Sequence, residues 1–251
     1  MAEPLLSVER VSRRFGGLLA VDAASLSAPA GRITALIGPN GAGKTTLFAI
    51  ISGFLKPSAG HIRYGGEDVT GEPAHRLARR GIARTFQIVQ PFAGISVRDN
   101  ILVGAYLRHA ARADAVGVAE TVGREVGLGD LLDRPAHTLT VAGRKRLELA
   151  RALATAPQLL LLDEVLAGLN PAEIRDIVPV IHDIRDRGVT IVLIEHVMQA
   201  VMSLAEQVLV LAEGRIIACG PPRAVASDPE VVQAYFGRST AARMLAGGDL
   251  G

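Results

Sequence analysis

Cysteine is almost absent from the chain. The one residue, Cys219, excludes an internal disulfide framework and a cysteine-rich metal site, fits a reducing compartment, and reads as a small buried apolar residue. Long apolar runs are missing too. Although 49% of the 251 residues are hydrophobic, runs such as Leu159–Leu162 and Ile191–Ile194 reach only a few residues, against the roughly 20 that span a bilayer. They predict buried parallel strands. A secretory signal is lacking, because "MAEPLLSVERVSRRF" sets charges among its apolar residues, and the expectation is a cytoplasmic protein. There is no long basic block, and a net charge of +2 gives no argument for nucleic acid. No internal repeat is present.

What the chain has is alternation. "RITALIG" is a short apolar run with β-branched residues, and "KTTLFAIISGFL" shows helical spacing, so strand, glycine-rich turn and helix follow one another. "GHIRYGGEDVT" predicts a hairpin turning at Gly65-Gly66. From about Pro91 to Ala156 only helical periodicity appears, in "VRDNILVGAYLRHAARAD" and "AVGVAETVGREVGL", which predicts a helical insert. The alternation then resumes with strand "QLLLLDE", helix "PAEIRDIVPVIHDIRDRG", strand "VTIVLIE", helix "HVMQAVMSLAEQ" and strands in "VLVLAEGRIIACG". Strands separated by such helices imply right-handed crossovers and a largely parallel sheet, an α/β fold. "GRSTAARMLAGGDLG" is rich in small residues and is expected to fray.

The chemistry concentrates in a few motifs. "GPNGAGKTT", Gly38-Pro39-Asn40-Gly41-Ala42-Gly43-Lys44-Thr45-Thr46, fits G-x-x-x-x-G-K-[ST] between a strand and a helix. Glycines let backbone N–H groups turn inward around phosphates, the helix N-terminus adds its positive end, Lys44 supplies a point charge and Thr45 offers a hydroxyl to Mg²⁺. "LLLLDE" places Asp163 and Glu164 at the carboxyl end of a buried strand, where such sheets hold ligands. Asp163 suits a magnesium ion held through water, and Glu164 suits the orientation and deprotonation of an attacking water. A carboxylate there often only caps the next helix, and the phosphate cradle is what favours the catalytic reading. His196 ends "IVLIE" at the same sheet edge, and Gln87 follows "GIARTF" with an amide able to meet Mg²⁺ or water. Each alone reads as an ordinary hydrogen-bonded residue.

Together these motifs resemble the ATP-binding-cassette ATPases, the cytoplasmic motors of ABC transporters, from about Leu5 to Gly237. "GPNGAGKTT" is similar to their Walker A, "LLLLDE" to Walker B, "TFQ" to the Q-loop, "AGLNP" to the D-loop and "IEHVM" to the switch histidine. "RRFGG" looks like the aromatic A-loop, which implies that Phe15 stacks on adenine. Within the family, "GIARTFQIVQPFAGISVRDNILVGA" and the stretch from "AGLNP" to "ACGPP" are similar to the ATPases of branched-chain amino acid importers.

The resemblance implies a P-loop NTPase core with a mostly parallel sheet, an N-terminal antiparallel β subdomain and a helical insert. It implies one ATPase domain over 1–237, with 1–90 and 157–237 as core, 91–156 as helical subdomain and 238–251 as a flexible tail. It further implies ATP with Mg²⁺ as cofactors, the metal being met by Thr45, Gln87 and Asp163, and catalysis by Glu164, His196, Gln87 and Lys44. The implied partners are a second cassette, alike or different, two transmembrane permease subunits and, indirectly, a periplasmic solute-binding protein, at the cytoplasmic face of the cell membrane.

In this family two cassettes close head to tail, each ATP lying between one Walker A and the other chain's signature, usually L-S-G-G-Q. Here the signature is altered. Anchored on "ARAL", it falls on Leu139-Thr140-Val141-Ala142-Gly143, with Thr140 in the serine's place. A one-residue slip restores a small pair, Ala142-Gly143, but shortens the next helix and rotates it about 100° off its face, so the unslipped register is preferred. Thr140 keeps a hydroxyl, while Ala142 adds a methyl where phosphate approaches and Val141 is stiff at the bend. Asn170 stands where many D-loops carry Asp, and Val165 where Pro usually follows the Walker B glutamate. None of these departures removes a phosphate ligand, and the expectation is an active ATPase with weakened closure.

Two other classes are weighed. A cassette ATPase acting on DNA or the ribosome is opposed by the single cassette, the modest charge and the lack of coiled-coil heptads or zinc cysteines. A P-loop GTPase is opposed by the lack of an N-K-x-D motif.

Overall fold

The computed structural model describes residues 4–87 and 90–236. In chain order the elements are β1 (Leu6–Phe15), β2 (Leu18–Ala28), β3 (Ile33–Ile37), α1 (Lys44–Ile51), β4 (Ala59–Tyr64), β5 (Glu67–Asp68), α2 (Ala74–Arg80) and β6 (Ile82–Arg84). The helical stretch follows with α3 (Val97–Ala105), α4 (Arg112–Glu125) and α5 (Val141–Leu153). The chain then returns through β7 (Leu159–Asp163), α6 (Pro171–Asp186), β8 (Thr190–Ile194), α7 (Met198–Leu204), β9 (Gln207–Ala212), β10 (Arg215–Gly220), α8 (Pro222–Ala226) and α9 (Pro229–Phe236).

Two sheets result. β2, β1, β4 and β5 form an antiparallel sheet in that order, and β10, β9, β3, β8, β7 and β6 form the second. In the second, β3 runs parallel to β8 and β9, β7 runs parallel to β6 and β8, and β10 runs antiparallel to β9. β3, β7 and β8 are buried at all five positions, because both faces of the sheet are covered. Their side chains alternate between two cores. Leu36, Leu159, Leu161, Val192 and Ile194 pack with α1 and the antiparallel sheet, whereas Ile33, Ala35, Leu160, Leu162, Ile191 and Leu193 pack with the helices of the other side. Phe48 of α1 is fully buried, and its truncation to alanine is expected to cost about 3–5 kcal/mol.

Local signals set the ends of several elements. Tyr64 pairs with Glu67 across the Gly65-Gly66 turn, as the hairpin reading requires. Ser96 caps α3 by accepting from the Asp99 N–H. α6 begins with Pro171 after an Asn170–Glu173 capping box, so the asparagine of "AGLNP" serves as a helix cap as well as an aspartate could.

Three expectations are corrected. "VRDNILVGAYLRHAARAD" is not one helix: α3 stops at Ala105 and α4 starts at Arg112, because Arg108 and His109 offer nothing to bury on the face that Ile101, Leu102 and Ala105 cover. "HVMQAVMSLAEQ" becomes helical only at Met198, leaving His196 in the loop after β8. Cys219 is exposed rather than buried, since β10 is the edge strand of its sheet, and its Sγ meets Gln207 Nε2 at 3.0 Å. The expected tail, 238–251, lies outside the described residues.

Candidate active site

The order β3-β8-β7-β6 brings four strand ends to one edge, and the motifs named above are the segments that leave it. From β3 the chain wraps into α1 through two glycines that no other residue can replace. At Gly38, φ is +149° and an added Cβ would lie 1.9 Å from the Leu211 carbonyl oxygen; at Gly43, φ is +104° and the gap to the Ala20 carbonyl oxygen is 2.3 Å. Lys44 is buried and donates from Nζ to the Gly38 and Pro39 carbonyls at 2.7 and 3.0 Å. Burial lowers its pKa, and the nearby Glu164 and Asp163 carboxylates oppose that shift. Asn40, Gly41, Ala42, Gly43, Thr45 and Thr46 line a cleft of about 1090 Å³ with Phe15, Gln87, Glu164 and His196. Phe15 stands at its wall, 42% exposed, with the Arg13 guanidinium 4.7 Å from its ring centre.

Glu164 is clamped from three sides. It sits just past β7 at φ +51°, a conformation uncommon for a side-chain-bearing residue. Gln87 Nε2 donates to its Oε2 at 2.6 Å, and His196 Nε2 lies 2.7 Å from its Oε1. Lys145 of α5 donates to the Glu164 carbonyl at 2.8 Å and to the Gln87 carbonyl at 3.3 Å, so the helix that Thr140 caps also holds this loop. Burial lowers the Lys145 pKa against the pull of several carboxylates, Glu195 first.

Asp163 is 1% exposed and accepts from Arg84 Nη2 at 2.7 Å through Oδ2, while its own N–H donates to Thr85 Oγ1. Its second oxygen, Oδ1, is buried with no hydrogen-bond partner among the described residues. Asp163, Thr45 and Gln87 share a side cleft of about 510 Å³. An orphaned carboxylate oxygen beside a hydroxyl and an amide is an all-oxygen donor set, which fits Mg²⁺. No cluster of three or more His, Cys, Asp or Glu side chains able to hold a metal occurs among the described residues, so phosphates and waters would complete the shell.

Leu139–Gly143 does not join this cleft. Thr140 caps α5, its Oγ1 accepting from the Gly143 N–H at 3.1 Å, and Val141 begins the helix, 59% exposed. Gly143 faces inward: a Cβ there would lie 3.2 Å from that of Leu139. The first-turn N–H groups of Val141 and Ala142 have no partner within the helix.

Four residues near this edge went unread in the sequence. Arg84 shows as a lone charge ending "GIAR", and Glu195 as a charge closing "IVLIE", where it is 2% exposed and accepts from the Leu166 N–H at 2.8 Å. Burial pushes Glu195 up to about 7, although the backbone N–H groups of Leu166 and His196 oppose it. Lys145 stands between Arg144 and Arg146 and carries no distinguishing signal. Tyr235 of α9 reaches the Gly38 backbone, and burial raises its pKa.

A cradle after a strand, a buried aspartate and a clamped glutamate at one sheet edge define a P-loop nucleoside triphosphatase. Residues 21–167 match the family described as "ABC transporter", and residues 215–241 match "Branched-chain amino acid ATP-binding cassette transporter". The chain is 38% identical to the "High-affinity branched-chain amino acid transport ATP-binding protein BraF" of Pseudomonas aeruginosa, covering 95% of this chain and 100% of that one. It is equally 38% identical, with the same coverages, to LivG of Escherichia coli (strain K12), a high-affinity branched-chain amino acid transport ATP-binding protein. A solved nucleotide-free ATP-binding cassette from an ABC transporter superposes with a TM-score of 0.86 at 32% identity, over 94% of this chain and 100% of that chain. The chain belongs to the ABC transporter family, as an ATP-binding subunit with ATPase activity.

Proposed function

We propose that this chain hydrolyses ATP to power import of branched-chain amino acids through separate permease subunits. Full-length similarity to two ATP-binding proteins named for that transport carries the cargo class, and the match of residues 215–241 supports it. No described helix is long and apolar enough to cross a membrane, which agrees with a subunit that works through membrane partners. The partners are a second cassette and two permeases, with a periplasmic binding protein delivering solute, and the chain sits on the cytoplasmic face of the membrane. Nucleic acid is not a partner.

Phosphates enter the cradle from Gly38 to Thr46, and Phe15 stacks on the base. Lys44 leaves the Gly38 and Pro39 carbonyls for the phosphates; its buried ammonium has lost much of its water, which strengthens that contact. Thr45, Gln87 and Asp163 would hold Mg²⁺, which would supply neutralisation of the charge on the phosphates. Glu164 takes the proton of the attacking water onto a carboxylate oxygen, and this requires Gln87 and His196 to release Oε2 and Oε1. His196 is then free to donate to the γ-phosphate. The contacts of Gln87 and His196 with Glu164 thus describe a resting arrangement that nucleotide replaces.

The helical subdomain, 91–156, carries the half-site for the partner's ATP. Thr140 Oγ1 already accepts from Gly143, and its own O–H remains to donate outward. With the N–H groups of Val141 and Ala142 at the positive end of α5, it binds the partner's γ-phosphate and closes the dimer. The deciding experiment reconstitutes the chain with its permeases, partner cassette and binding protein in proteoliposomes. ATP-dependent uptake of labelled leucine, lost with Glu164→Gln, is expected; uptake indifferent to ATP or to that variant overturns the proposal.

A further inference from the structure

Arg84 ends β6 with its side chain 8% exposed, and its guanidinium lies 2.7 Å from Asp163 Oδ2. Three rings surround it, those of Phe86, Phe54 and Phe48, at 5.3, 5.9 and 6.0 Å from the guanidinium carbon, and Nη1 meets Ser52 Oγ at 3.2 Å. Arginine suits such a box because its planar group stacks on rings while its fork stays aimed at a carboxylate; the point charge of lysine does only the second. The pair leaves the two oxygens of Asp163 unequal. Oδ2 is occupied, while Oδ1 is buried without a partner in the side cleft that Thr45 also lines.

We propose that Arg84 is a positioning residue for the magnesium carboxylate: it occupies Asp163 Oδ2, holds the side chain in one orientation, and so presents Oδ1 to the cation. The Thr85 hydroxyl, accepting from the Asp163 N–H, fixes the backbone of the same residue. The inference rests on the reading of Asp163 as the residue facing Mg²⁺. Without Arg84 the buried carboxylate, 1% exposed, is free to swing toward another donor, and that change removes the acceptor the cation needs. Arg84 never touches nucleotide in this scheme; it acts through Asp163.

The test uses the full chain and binding measurements alone. Mn²⁺ stands in for Mg²⁺, and its uptake in the presence of ADP is followed from the electron paramagnetic resonance of the free ion. Binding of a fluorescent ADP in EDTA reports the cradle without metal. Arg84→Met is expected to weaken Mn²⁺ uptake about tenfold or more while metal-free ADP binding stays within about twofold, and Arg84→Lys to weaken uptake about threefold. In an Asp163→Asn background, Arg84→Met adds nothing. A folded Arg84→Met that takes up Mn²⁺ as the unmodified chain does overturns the inference and leaves Arg84–Asp163 a structural ion pair. Should Arg84→Met not fold, unchanged uptake by Arg84→Lys overturns it in the same way. Unchanged uptake by Asp163→Asn refutes the magnesium reading of Asp163 itself, an outcome distinct from any result at Arg84.

Discussion

In the proposed function the sheet-edge cleft and the N-terminus of α5 both meet phosphate, yet they are built differently. At the sheet edge the charged groups of the motifs have fixed neighbours: Lys44 on two carbonyls, Glu164 on Gln87 and His196, Asp163 on Arg84. At α5 the hydroxyl of Thr140 caps its own helix, and Val141 stands exposed beside it. A site complete within one chain can be locked by burial, whereas a half-site must leave its donors open to the partner that completes it. Substitution tolerance follows. A methyl at Gly38 or Gly43 would strike backbone, while Val141 and Ala142 stand in the first turn of α5 without disturbing the helix they start.

The largest effect that tests this contrast is expected in the cleft. Glu164→Gln keeps the shape of the clamp but removes the proposed base, and ATP turnover in the assembled transporter, measured by phosphate release, should fall by about 10²–10⁴. Lys145→Met comes next, because it cuts the tie from α5 to the Glu164 and Gln87 carbonyls. About a tenfold drop in turnover, with ATP binding kept, is expected from the small misplacements that loss allows. Turnover equal to that of the unmodified protein would separate the two regions altogether.

A smaller effect concerns Glu195, buried just past the end of β8. Its pKa is raised from the ordinary 4.5 to about 7 in the folded chain, so the stability contribution is full below pH 4.5 and is lost as pH rises to 7. Glu195→Gln keeps an acceptor for the Leu166 N–H and removes the charge. It should stabilise the fold by about 1–3 kcal/mol at pH 8 and by little at pH 4.5, measured by chemical denaturation. An equal gain at both values would mean that ionisation plays no part. The smallest effect belongs to the half-site, where Ala142→Gly should raise ATP-driven dimerisation of Glu164→Gln by a few-fold, followed by size-exclusion chromatography. No gain would show that the altered signature closes as well as a glycine would.

Much of the cleft was legible because its parts are local. The cradle is a backbone conformation written by its own glycines, and "LLLLDE" announces both a buried strand and what leaves its end. Helix ends were harder: nothing within "VRDNILVGAYLRHAARAD" says which apolar face finds a partner, and that decided where α3 stopped. Cys219 was misread for the same reason, since its exposure depends on β10 being the edge strand of its sheet among the described residues.

The amino-acid order by itself determined the conformations that sterics and short-range bonds impose: the turn from Gly38 to Gly43, the buried strands β3, β7 and β8, and the Thr140 and Asn170 caps. Only the tertiary structure decided which charges face one another. Arg84 and Asp163 are 79 residues apart, and Gln87 and Glu164 are 77 apart, so these pairs exist because β6 lies beside β7. Burial then gives the charges their consequence, because the same arginine or glutamate in water would have no fixed partner.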